Sequence, residues 1–252
     1  MSQVGANSRI IQSSDVDVYH DEFDVVVCGF GGAGGSAAIE AAKCGAKVLL
    51  LERASDGGGS TALSSCEMYL GGSGGTSLQQ ACGFEDSTEN MIAYLQACFE
   101  DKGDPAKIKL YAENSADHFE WVKSLGVTYK EAVHLGRIVV PDSNESLLFT
   151  GNERVNPFLD YATAVPRGHV PSHEGDFGGK IFFAALKQAV MDQGVNISCD
   201  SRVLGLIIDN DKILGVSYKK DNDIVNLKVN NGVILATGGF VMNEEMVKKY
   251  LP

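Results

Sequence analysis

One stretch constrains this chain more than any other: "DVVVCGFGGAGGSAAIEAAKCGAKVLLLER", Asp24 to Arg53. Val25-Val26-Val27 is a continuous apolar run, as expected of a strand covered on both faces. Gly29, Gly31 and Gly34 follow as GxGxxG, and a helix is expected from about Ala33 to Cys44. Ala37, Ala38, Ala41 and Ala42 are small enough for that helix to lie close against a sheet. Gly45 stops it, and Val48 to Leu51 reads as a second strand ending on Glu52. Each glycine has a physical job. Gly29 allows the tight turn, Gly31 lets the backbone approach a pyrophosphate, and Gly34 permits close helix–strand packing. The phosphates would sit on the free N–H groups and positive dipole end of the helix. Glu52 lies 52 − 31 = 21 positions after the middle glycine, near the ~20 expected of an acid that hydrogen-bonds ribose hydroxyls. A glycine-rich turn with no ligand does not account for strand, glycines, helix, second strand and terminal acid in that order. The expectation is a dinucleotide site.

The next segment bears on which dinucleotide. "GGGSTALSSCEMYLGGSGG", Gly57 to Gly75, is rich in Gly and Ser, and a nicotinamide-binding unit does not need it. A flavin nucleotide does, because its ribityl chain and flat ring lie beyond the pyrophosphate and need close backbone approach. Ser60, Thr61 and Ser64 are candidate hydroxyl partners for phosphate, ribityl or ring atoms. A flexible linker is the alternative, but Ala62, Leu63, Met68, Tyr69 and Leu70 are too apolar for one. Gly72, in the looser part of this segment, is expected to tolerate substitution better than Gly31.

Downstream, Ser87 or Thr88 caps a helix in which Met91, Tyr94, Leu95 and Cys98 recur at helical spacing. A second amphipathic helix is expected over 106–125, with Ile108, Tyr111, Ser115, Phe119 and Val122 on one face and Gly126 ending it. Residues 128–179 carry no clear period, and Pro157, Pro166 and Pro171 interrupt any regular element. Arg167 and His169 stand out there, read as hydrogen-bonded structural groups in preference to site residues. Helix 181–193 and a strand at 195–199 follow. Then come "RVLGLIID", "KILGVSYKK" and "IVNLKV", three short strands separated at Asn210-Asp211 and Asp221-Asn222-Asp223, leading into "GVILATGGF". The expected whole is one α/β domain with a Rossmann-like parallel central sheet and a β-meander. Residues 1–20 read as a flexible polar leader.

Composition narrows the class. The net charge of −12 argues against nucleic acid or an anionic membrane as partner, and no apolar run is long enough to span a bilayer. The six cysteines have no CxxC, haem or zinc spacing, so no metal is expected. Several lie within apolar runs, which suits free buried thiols and a cytoplasmic location.

With these pieces assembled, the chain resembles the FAD-dependent fumarate reductase and 3-ketosteroid dehydrogenase family over 24–252. "STALSSCEMYLGG", "LQQACGFEDSTENM", "VPRGHVP" and "GVILATGGF" look most like its 3-ketosteroid Δ4-(5α)-dehydrogenase branch. The resemblance implies FAD held by Gly29, Gly31, Gly32, Ala33, Gly34, Glu52 and Arg53 in the fingerprint, and by Gly59, Ser60, Thr61 and Ser64 after it. It implies that the backbone of Val203 meets the adenine, and that Ala236, Thr237 and Gly238 lie beside the nucleotide. Ser65-Cys66 departs from the family, standing where that branch tends to have a Gly pair, and "GGSGGT" is longer than the corresponding turn. The family's substrate-covering cap follows the ATGGF strand, so residues 21–252 read as the N-terminal segment of the FAD-binding domain, without cap or C-terminal return. No catalytic acid or base is assignable. The implied activity is hydride transfer between flavin and a CH–CH or C=C bond beside a carbonyl, in a 3-oxo steroid first and an unsaturated dicarboxylate second. A non-catalytic FAD-binding fragment is the reading from another class; its uncovered apolar sheet edge predicts homo-oligomerisation.

Overall fold

The structure is a computed structural model that describes residues 9–138, 143–173, 175 and 177–251. The first elements are β1 (Arg9–Gln12), β2 (Asp21–Cys28), α1 (Gly32–Lys43), β3 (Val48–Leu51), α2 (Gly59–Ala62) and β4 (Met68–Tyr69). Next come α3 (Ser77–Ala81), α4 (Thr88–Phe99), α5 (Pro105–Ser124), β5 (Val133–Arg137), β6 (Leu147–Phe149) and β7 (Gly168–His169). The last are α6 (Gly178–Asp192), β8 (Asn196–Ser198), β9 (Ser201–Asp209), β10 (Lys212–Lys220), β11 (Asp223–Leu235) and α7 (Glu244–Tyr250). These divide into two compact units, 1–60 with 186–252 and 61–185.

The first unit is a seven-stranded mixed sheet in the order β1-β9-β10-β11-β2-β3-β8. Its middle is parallel, with Val25 to Cys28 of β2 registered between Gly232 to Leu235 of β11 and Val48 to Leu51 of β3. Val26, Val27, Cys28 and all four residues of β3 are buried, as the unbroken apolar runs require. The small residues of α1 let it approach closely: Gly34, Gly35, Ala38 and Ile39 are its buried face. A Cβ on Gly35 would lie 2.7 Å from Leu186 Cδ2, so any side chain there would have to displace Leu186.

The meander β9-β10-β11 is antiparallel. Asn210 and Asp211 both have positive φ, 45° and 64°, the geometry of a two-residue type I′ hairpin turn. Two expectations are corrected. "IVNLKV" and "GVIL" form one strand, β11, with a register irregularity between Val229 and Gly232 in place of a break. Within the stretch read as a flexible leader, Arg9–Gln12 forms β1, paired parallel with Gly205 to Ile208 of β9.

The second unit packs α3, α4 and α5 with a four-stranded sheet ordered β4-β7-β6-β5. Each helix begins with its own cap: Thr76 in a reciprocal capping box with Gln79, Ser87 on Asn90 N–H, and Asp104 ahead of Pro105. On α5 the buried positions are Ile108, Ala112, Ser115, Phe119 and Val122. Tyr111 is 44% exposed, so Ala112 takes the place expected of it. Cys98 and Cys44 are exposed as well, while Cys28 and Cys66 are buried. The small sheet was not expected, because its strands of two to five residues are too short to show a period of two.

Candidate functional site

In the first unit the turn after β2 is built by exclusion of side chains. Gly29 has φ +107°, and a Cβ there would collide with Ala236 O. A Cβ on Gly34 would collide with Gly29 O. Ala236 N–H donates to Cys28 O at 2.9 Å, which places Ala236 directly against the turn. Gly31 differs from both. Its φ of −99° and ψ of −163° are extended values open to any residue, so backbone conformation does not demand glycine there. Gly31 is the N-cap of α1, which starts without a side-chain cap and with no acidic residue in its first turn. The positive end of that helix is therefore not offset by a carboxylate of its own first turn, which favours an anionic group there.

Glu52 is fixed just beyond β3. Its Oε2 accepts the Phe30 N–H at 2.8 Å and its Oε1 accepts the Ala54 N–H at 2.8 Å. Its own backbone bonds Ser198 O at 2.9 Å and Ser201 N–H at 2.8 Å. A carboxylate has about four acceptor positions, so roughly two remain for a pair of ribose hydroxyls. The Phe30 N–H at the second position of GxG is the anchor that the spacing argument missed; nothing in the Phe30 side chain signals it. Val203 lies on β9 two residues after Ser201, opposite Tyr218 of β10. Gly29, Gly34, Glu52 and Ala236 are thus held together at the carboxyl ends of β2, β3 and β11, where open α/β sheets bind ligands. Arg53, Gly59, Ser60, Thr237 and Gly238 are exposed residues of the same unit.

Thr61 and Ser64 belong to the second unit. The Ser64 hydroxyl donates to Thr61 O at 2.8 Å and accepts the Cys66 N–H at 3.1 Å. Its hydrogen is engaged in this turn, and what it can offer a ligand is an acceptor lone pair. Cys66 has φ +57°, unusual for a residue with a side chain, and its burial pushes the thiol pKa up to about 12. That thiol is inert, not nucleophilic. The loose tolerance expected of Gly72 is corrected: its φ is +80°, and a Cβ would collide with Ala112 O.

Arg167 and His169 are structural groups, as read from sequence. Both are fully buried in the second unit. Arg167 Nε and Nη2 donate to the two oxygens of Asp86 at 2.7 and 2.8 Å, and Asp86 also accepts from Gly72 N–H and Asn90 Nδ2. His169 Nε2 lies 2.7 Å from Thr76 Oγ1 and its Nδ1 lies 2.8 Å from Arg167 O. Burial pushes the His169 pKa down to about 4, from an ordinary 6.5. Between those values the unfolded chain takes up a proton that the folded chain refuses. Stability from this group is full above pH 6.5 and declines as pH falls towards 4, by about 3 kcal/mol in all. Urea midpoints at pH 7.5 and pH 4.5 will show that loss in the native protein, and His169→Asn will flatten it. No group of His, Cys, Asp and Glu able to hold a metal occurs among the described residues.

A parallel βαβ turn with an uncapped helix end, excluded side chains and an anchored terminal acid defines a dinucleotide-binding protein. The family model described as "FAD binding domain" matches residues 24–252, and the chain belongs to that family, whose cofactor is FAD. The chain is 34% identical over 212 residues to a 3-oxo-5-alpha-steroid 4-dehydrogenase of Comamonas testosteroni, covering 82% of this chain and 39% of that protein. It is 30% identical over 229 residues to a probable fumarate reductase of Shewanella frigidimarina, covering 90% of this chain and 34% of that one. Among solved structures, 3-ketosteroid-delta4-(5alpha)-dehydrogenase from Rhodococcus jostii RHA1, in complex with 4-androstene-3,17-dione, superposes with a TM-score of 0.91 at 38% identity. That match covers 96% of this chain and 51% of the other. The chain therefore spans well under two thirds of the length of these relatives. No described helix is long and apolar enough to cross a membrane.

Proposed function

We propose that this chain forms the FAD-binding portion of an oxidoreductase acting on a CH–CH or C=C bond next to a carbonyl, with a 3-oxo steroid as substrate. The observation that carries the reading is the 0.91 TM-score at 38% identity to a ketosteroid dehydrogenase whose structure holds androstenedione. Bound FAD supplies a two-electron centre that accepts or returns hydride. This chain's residues supply the holding. The α1 N-terminus at Gly31 to Gly34 receives the pyrophosphate, and Glu52 accepts the adenosine ribose hydroxyls. Val203, Ala236, Thr237 and Gly238 border the nucleotide, with Arg53 and Gly59 beside the fingerprint. Ser60, Thr61 and Ser64 contact the ribityl or ring end. No proton-transfer group for the substrate is assigned to this chain.

An unsaturated dicarboxylate is the second substrate reading, supported by the match to a fumarate reductase. The free cysteines favour a reducing, cytoplasmic setting. The exposed Leu235, Val241, Met242 and Leu251 favour association with further protein, a second copy included. The test is turnover by the purified flavoprotein. Dehydrogenation of a saturated 3-oxo steroid with an artificial electron acceptor supports the proposal. Reduction of fumarate by reduced viologen, with no turnover of the steroid, supports the second reading against it.

Glu52→Ala tests the adenosine end separately. Losing the acceptor should weaken FAD binding by about 1–3 kcal/mol, or roughly 5- to 150-fold, because hydroxyls and backbone N–H groups are left unpaired. The measurement is an FAD titration followed by flavin fluorescence. An unchanged affinity contradicts the assignment.

A further inference from the structure

Two glycines outside the fingerprint, Gly178 and Gly179, open α6. Both are helical and neither has a positive φ, so glycine is not there for its conformational freedom. Glycine has no advantage over alanine as a helix former, so the pair calls for another reason. The reason is close approach. A Cβ on Gly179 would collide with Thr61 O and stand 2.5 Å from Ser64 O and 3.0 Å from Ser64 Oγ. A Cβ on Gly178 would collide with Ser65 O and lie 3.1 Å from Pro171 Cδ. The obstacles are backbone atoms, which cannot rotate aside. The approach is also bonded, since Gly179 N–H donates to Ser64 O at 2.9 Å. The segment pressed against these glycines is the turn in which Ser64 Oγ bonds Thr61 O and the Cys66 N–H, with Cys66 held at φ +57°.

We propose that Gly178 and Gly179 are positioning residues for the cofactor: the side-chain-free start of α6 sets where Thr61 and Ser64 stand, and through them how tightly and in what orientation the flavin is held. The proposal rests on the reading above that Thr61 and Ser64 contact FAD. A methyl group on Gly179 would overlap the carbonyls of Thr61 and Ser64, and relieving that overlap would move the residues that carry both hydroxyls.

The experiment compares Gly179→Ala, the double variant Thr61→Val/Ser64→Ala, and Gly126→Ala. Gly126 follows α5 with φ +99° and open space around its Cβ position, so alanine there strains the backbone without pressing on any segment. FAD affinity, the bound flavin's absorption spectrum and its midpoint potential are measured, with circular dichroism for folding. Gly179→Ala is expected to keep its dichroism, bind FAD at least tenfold more weakly and shift the flavin bands. Gly126→Ala is expected to melt earlier with native affinity and spectrum. If the Thr61/Ser64 double variant loses flavin while Gly179→Ala binds it with native affinity, spectrum and potential, the positioning proposal is overturned and the contact assignment stands. If the double variant also binds normally, the contact assignment falls and takes the proposal with it. Hydrogen exchange in the unsubstituted protein gives a test that needs no variant to fold. FAD is expected to slow exchange of the Gly179 amide at least tenfold, and an unchanged rate overturns the proposal.

Discussion

Gly31→Val will abolish flavin retention while leaving the sheet folded. The two halves of that expectation come from different observations. Gly31 has φ −99° and ψ −163°, values that valine adopts without strain, and it lies in the turn outside the packed core. Backbone conformation therefore does not require glycine at this position. Binding is expected to need it, because with the pyrophosphate on the N-terminus of α1, as proposed, a Cβ here would take the space of a phosphate. Affinity should fall at least a hundredfold, roughly 3 kcal/mol or more. Gly29 makes the contrast. With φ +107° and Ala236 O in the way of any Cβ, Gly29→Val should lose both flavin and fold. Bound flavin is read by absorbance and folding by circular dichroism. Gly31→Val that keeps its flavin would show that the pyrophosphate lies elsewhere.

Asp86→Ala will be the most destabilising single change in the second unit. Asp86 and Arg167 are both fully buried, and the carboxylate receives two guanidinium bonds, the Gly72 N–H and the Asn90 amide. Removing it strands a buried cation, which costs about 3–5 kcal/mol. The damage has a local address. β4 and β7 share only the pairs Met68–His169 and Tyr69–Gly168, too short a ladder to fix register by itself. Leu70 N–H donates to Arg167 O at 2.8 Å, and Gly71 is so close to Asp86 that a Cβ would strike its carboxylate. The ion pair thus holds the end of the Gly/Ser segment against β7. Urea unfolding at pH 7.5 should show the loss in the midpoint. A shift below 1 kcal/mol would mean that solvent enters and hydrates Arg167.

The first unit was legible in the sequence where one signal had one cause. Unbroken valines and leucines marked the buried strands, and Asn210-Asp211 marked the hairpin. The glycine spacing marked the turn, whose exclusions at Gly29 and Gly34 are what the structure contains. The second unit was legible only in its longer helices, through their apolar spacing and the Ser87 cap; the short α3 and the Asp104 cap were not read from the sequence. Its sheet was hidden, since β4 and β7 are two residues long and are held by Asp86, Arg167 and His169 from distant parts of the chain. The partners of those side chains cannot be inferred from spacing. Tyr111 was misplaced for a related reason: helical period alone allows either of two adjacent residues to face inward, and the smaller Ala112 does. Spacing pointed to Glu52, but the Phe30 N–H that orients it is a backbone group and leaves no trace in residue identity.

The measurement that bears most directly on this account is a side-by-side titration of the purified apoprotein with FAD, FMN and NADH, followed by fluorescence and by the flavin released on denaturation. With the pyrophosphate on α1 and the adenosine ribose on Glu52, FAD should bind one per chain and turn the protein yellow. FMN, which lacks the adenosine half, should bind at least a hundredfold more weakly, and NADH should not compete. Equal binding of FMN and FAD would contradict the adenosine site at Glu52, and a colourless protein that binds NADH in their place would contradict the account as a whole.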